Sequence, residues 1–172
     1  MYTQACTLFD LQSCIDYYAA EIYIGNEDWP VQNTSLWRTR KAESSLYGDC
    51  KWRWILFDCD ASMFVNRSEY DYVGRAIKKD PFFASLMENE GFKKAIEEKL
   101  VELANNNFDP QRIDEFITEY QATRVDALVN EYNRFYAGER TSEDFNNDCN
   151  NVREFFYRRY DYIIQTYGGD HE

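Results

Sequence analysis

From residue 80 onward the chain carries one helix-start signal after another and nothing that reads as a strand. Asp80-Pro81 and Asp109-Pro110 each place an acidic cap before a proline at the first helical position, where the missing N–H costs nothing. Asn89 caps a segment bearing Phe92, Ile96, Leu100 and Leu103, and Thr141 with Asp144 makes a capping box for a last helix that stops before Gly168-Gly169. Ile113, Phe116, Ile117, Tyr120, Leu128, Tyr132 and Phe135 supply the apolar positions of the long third segment, and Val152, Phe155, Phe156, Tyr160, Ile163 and Ile164 those of the fourth. A chain that spends its second half this way cannot build the parallel sheet of an α/β enzyme.

The first half is different. Asp10 caps a helix running to about Ile24, with Leu11, Ile15, Tyr18, Ala19, Ile22 and Tyr23 three and four apart, and Gly25-Asn26 ends it. Pro30 bars a helix through the next loop. Ser35 to Arg40 and Lys51 to Phe57 read as two strands joined through Gly48. The expected fold is mainly α with a small antiparallel β-hairpin, one domain across residues 1–172.

Charge and composition remove several functions. Lys plus Arg number 19 against 31 Asp plus Glu, a net charge of −12, so a phosphate-rich polymer would be repelled and nucleic acid is excluded as a partner. No apolar run approaches the roughly 18 residues of a membrane span, and a secretory leader is not apparent. Five cysteines without CxxC spacing argue for free, mostly buried thiols and against a zinc site or a disulfide framework. The single histidine, His171, lies next to the C-terminus, leaving no histidine triad. The 12 Phe, 4 Trp and 14 Tyr are expected to fill helix interfaces, with only Trp29 and Trp37 near the candidate site.

The candidate chemistry lies in the loop after the first helix and at the exit of the second strand. Asp28 and Asn33 stand five positions apart, and Asp58 and Asp60 follow the apolar run Trp54-Ile55-Leu56-Phe57. Phosphoryl transfer needs a carboxylate to accept the proton of the attacking hydroxyl, a second to hold a metal against the phosphates, and a neutral oxygen to complete the metal shell. Asp28, Asp58 and Asn33 supply that set. Asp-x-x-x-x-Asn is also the spacing of a protein-kinase catalytic loop. Taken singly, each residue is as readily a turn or a cap. Asp58 and Asp60, one residue apart, repel each other unless a cation or a raised pKa relieves them. Arg38 is expected to pair with an acidic loop residue such as Asp28 or Asp60.

The stretches Asp16–Trp29, Asn33 with Leu36-Trp37-Arg38, Lys51–Asp60 and Phe82–Tyr162 resemble the spore-coat protein H (CotH) kinase family over almost the whole chain. The resemblance implies an atypical protein-kinase C-terminal lobe using ATP and Mg²⁺ or Mn²⁺ to phosphorylate Ser or Thr of a coat or cell-surface protein. It further implies Asp28 as catalytic-loop Asp, Asn33 and Asp58 as metal ligands, and Asp60 as an additional metal carboxylate. Cys59-Asp60 stands where a conventional kinase has Phe-Gly. With no Gly-rich loop or Walker lysine anywhere, the nucleotide-gripping N-terminal lobe is expected upstream, and the chain alone is expected to be inactive. Spore coat or cell surface would be the place of the parent protein.

The Asp-x-Asp of aspartate-based phosphatases and of metal-dependent glycosyltransferases is a rival match to Asp58-Cys59-Asp60, but both need strand and helix units downstream. A pseudokinase or coat-assembly scaffold is the competing non-enzyme reading.

Overall fold

The computed structural model describes residues 2–136 and 139–169; His171 lies outside the described residues. Helix α1 (Tyr2–Leu8) leads into α2 (Leu11–Ile24), the central element. The Asp10 carboxylate accepts the Ser13 N–H at 3.1 Å as N-cap. At the other end Gly25, at φ 66°, takes the left-handed conformation that stops the helix. A Cβ there would meet the Tyr72 ring at 2.7 Å, so backbone and neighbour both demand glycine. Tyr18 of α2 stacks on Phe83 at 4.5 Å and Tyr23 on Phe108 at 4.6 Å, which puts much of the aromatic load in the core around α2.

The hairpin is present but shorter than the sequence suggests: β1 (Ser35–Trp37) pairs antiparallel with β2 (Arg53–Ile55), with Leu36 opposite Trp54. Trp52 is drawn off to the other side, exchanging backbone hydrogen bonds of 2.9 Å with Leu8 and Asp10 across a parallel bridge to Phe9. Downstream, Asp58 at φ 56° turns the chain out of any ladder.

The capped helices stand where their signals place them. They are α4 (Pro81–Met87), α5 (Glu90–Glu102), α6 (Pro110–Phe135) and α7 (Ser142–Tyr167), with Asp80, Asn89, Asp109 and the Thr141–Asp144 capping box at their starts. Two helices were not anticipated. α1 has no capping side chain to announce it, and α3 (Tyr72–Lys79) has a cap, Asp71, accepting from Gly74 N–H at 2.8 Å, but few apolar positions behind it. A third difference follows α5: Leu103 does not extend it, because Leu103–Asn107 form a π-helical turn.

Two expectations about burial are corrected. All five cysteines are free, but only Cys14 is buried; Cys6, Cys50, Cys59 and Cys149 are half-exposed, since each lies in a short or amphipathic segment rather than in the core. On α6, Ile113, Ile117 and Val125 are buried against the rest of the molecule, whereas Phe116 and Phe135 remain 65% and 67% exposed. α6 packs chiefly on α7, so only one side of its apolar stripe is covered.

A buried arginine locks these layers together. Arg159 of α7, 1% exposed, donates to the carbonyls of Ile22 at 2.7 Å and Tyr23 at 3.1 Å, which are free at the C-terminus of α2. The same guanidinium reaches the carbonyls of Ser68 and Tyr70, each at 3.0 Å.

Candidate active site

Three segments meet just past the C-terminus of α2. The first is the loop from Asn26. Its buried side-chain oxygen accepts the Asp28 N–H at 3.2 Å, an Asx turn that sets the direction of Asp28. The Asp28 carbonyl then accepts the Gln32 N–H at 3.0 Å, closing one turn, and Asn33 follows at φ 58°. The second segment carries Asp58, Cys59 and Asp60 out of β2. The Asn26 and Asn33 amides both donate to the Asp58 carbonyl, at 3.3 and 3.4 Å. Two asparagines thus tie the loop after α2 to the segment leaving β2 through one backbone oxygen.

The third segment is α3. The Arg75 guanidinium donates to the Asn26 carbonyl at 3.0 Å and also to the carbonyls of Glu27 and Trp29. Glu27 is held in turn by the Tyr72 hydroxyl, donating at 2.6 Å, and its N–H donates to the Ala61 carbonyl at 2.8 Å. Trp29, 1% exposed, is a packing residue against Tyr17 and Tyr18. The loop is therefore pinned from behind while Asp28 faces solvent.

The side chains expected to act do assemble here. Asp58 has its pKa raised, first by the charge of the neighbouring Asp60 carboxylate and then by partial desolvation, a hydrogen bond that the protonated Asp58 carboxyl donates to Asp60, and the charge of Asp28. No cation is among the groups acting on it. Asn33 and Asp58 both hold left-handed backbone, which Asn and Asp tolerate better than other residues with a side chain but still at a cost of roughly 1 kcal/mol or more each.

The donor set suits a magnesium-like ion of the kind that rests on one or two carboxylates, a neutral oxygen and substrate phosphates. Asp58 and Asp60 supply carboxylates, and the Asn33 side-chain oxygen accepts nothing among the described residues. Among the described residues no three Asp, Glu, His or Cys side chains close around a common point.

Residues outside the motif proved equally involved. Arg75 has no sequence signal, being one cation on a polar helix. Glu21 had one: it is an acid inside the apolar run Tyr17–Ile24. It is fully buried, and both carboxylate oxygens lack a partner in hydrogen-bonding geometry. Burial pushes its pKa up to about 7, with the nearby Asn26 amide and Tyr17 hydroxyl offsetting part of the effect. Tyr17 also donates to the Asn33 carbonyl at 3.3 Å, so Glu21 lies beneath both asparagine arms of the site. Arg38, expected to pair with an acid, instead lies over the Trp52 ring, 4.7 Å from its centroid. Trp37 is turned towards Tyr47 and Arg53, away from Asp58.

The arrangement is a helical lobe presenting an Asp-x-x-x-x-Asn loop beside a strand-exit Asp. The family model described as CotH kinase protein matches residues 1–163, and the chain belongs to the CotH kinase family. Comparison with curated proteins and with solved structures gave no match.

Proposed function

We propose that this chain carries the base and metal half of an atypical protein kinase that transfers the γ-phosphate of ATP to Ser or Thr of a coat or surface protein. The observation that supports it most is the placing of the Asp28 and Asp60 carboxylates beside Asp58, with the Asn33 amide on the Asp58 carbonyl at 3.4 Å. Uncompensated carboxylates side by side are costly unless a cation joins them when the site works.

Asp28 accepts the proton of the attacking hydroxyl. Its exposure leaves room for a protein substrate, and the Asx turn on Asn26 holds its direction. Asp58 and Asn33 would hold Mg²⁺ or Mn²⁺, with Asp60 as a further carboxylate; the ion would neutralise charge on the phosphates. Arg75, by gripping the carbonyls of residues 26, 27 and 29, keeps the base from drifting relative to the metal-side segment.

Calorimetric titration of the upstream-extended protein with MgATP tests this. Asp58→Ala is expected to abolish metal-dependent binding; binding indifferent to that change removes the proposal. A pseudokinase or assembly scaffold is the second reading, favoured by the exposed row Ile55, Leu56 and Phe57, 40%, 50% and 41% exposed beside the site. It predicts partner binding that survives Asp58→Ala.

A further inference from the structure

A cavity of about 530 Å³ opens between α6 and α7, on the flank formed by the π-turn. Its size falls within the roughly 300–1,000 Å³ of small-molecule sites. The wall is apolar, with Phe108, Ile113, Phe116, Ile117, Val152 and Phe156 prominent, and Met63 reaches it from the loop that carries Asp58. Hydrogen-bonding groups suited to an anionic head come from Asn107, the last residue of the π-turn, from Arg112 in the first turn of α6 and from the Tyr120 hydroxyl, and Arg112 brings the positive charge. The Arg112 guanidinium takes part in none of the ion pairs among the described residues. In a chain of net charge −12, an unengaged arginine at the mouth of an apolar cavity is a local reversal of sign.

We propose that this cavity binds a single-chain fatty carboxylate, the hydrocarbon lying against Phe116, Ile117, Val152 and Phe156 and the carboxylate on Arg112 and Asn107. The chemistry of the wall selects this class. A peptide strand or helix end brings N–H and C=O groups that the apolar wall leaves unsatisfied, whereas an alkyl chain brings none. Arginine has only donors and a permanent charge, so the head group is an anion. The π-turn contributes directly: the extra residue in the turn places Asn107 and Phe108 on the cavity side, and such turns recur at functional sites. Phe116, 65% exposed in the free protein, gains the burial that the rest of the fold denies it.

The test is calorimetric titration with dodecanoate, below its micellar range, against dodecanol and dodecyltrimethylammonium. Saturable one-to-one binding of dodecanoate, stronger than that of either comparison compound, is expected. Arg112→Gln should weaken dodecanoate about tenfold, the worth of one charge-assisted contact, and leave dodecanol unchanged. Val152→Trp should fill the cavity and abolish binding. Circular dichroism and thermal melting confirm that each variant is folded, and Asn107→Ala serves as a second head-group variant if Arg112→Gln is not. Absence of saturable binding, or affinity insensitive to the head group and to both variants, overturns the proposal.

Discussion

Glu21 shows most plainly how one residue is set against its surroundings. A fully buried carboxyl without a hydrogen-bonding partner favours the neutral form, and its pKa accordingly rises from 4.5 to about 7. Because the folded-state value is the higher one, Glu21 imposes no penalty below about pH 4.5. The penalty grows between 4.5 and 7 as the unfolded chain ionises first, and it is complete above 7. Glu21→Gln should therefore match the wild type in stability near pH 4 and exceed it at pH 8, by up to about 3 kcal/mol. Urea denaturation at the two pH values measures this; the same pH dependence in both proteins would show that Glu21 is not the titrating group. At Asp28 the expected effect is kinetic. Asp28→Asn in the active protein should lower kcat by about 10²–10⁴-fold while nucleotide affinity is largely kept, since the carboxylate acts on the hydroxyl and not on the metal. Parallel loss of both in steady-state and binding measurements would contradict that role.

Among the elements, the capped helices were legible because a cap is local: Asp80, Asn89, Asp109 and Thr141 each bond N–H groups two or three residues away. What the sequence could not show is what tertiary contacts decide. β1 and β2 are three residues each because Trp52 has a second backbone partner in Leu8 and Asp10, a contact made across more than forty residues. Arg159 is the same kind of case, an ordinary helical arginine in sequence that becomes the cap of a distant helix. Arg159→Met should destabilise the fold by about 3–5 kcal/mol, because four carbonyls on two segments lose their donor together and α7 is no longer tied to α2. Chemical denaturation measures it, and a loss under 1 kcal/mol would mean that water replaces the guanidinium at little cost.

For the molecule as a whole, the mainly α architecture with one short hairpin follows from the spacing of helix signals. The candidate residues Asp28, Asn33, Asp58 and Asp60 stand out in the sequence by type and spacing, and the structure brings their two segments together. The contacts of Asn26, Arg75 and Tyr17 that hold these segments were not legible, because they arise only when the loop, the β2 exit and α3 come together, and Glu21 showed only as an acid inside an apolar run. No helix of the described residues is long and apolar enough to cross a membrane. Asp28, Asp58 and Asp60 lie together in a chain of net charge −12, the setting in which the proposed cation would act.

The decisive measurement is phosphoryl transfer from radiolabelled ATP by the full-length protein. Label on Ser or Thr that requires Mg²⁺ or Mn²⁺ and disappears in Asp58→Ala is the expected result. Equal labelling by the wild type and Asp58→Ala would contradict it.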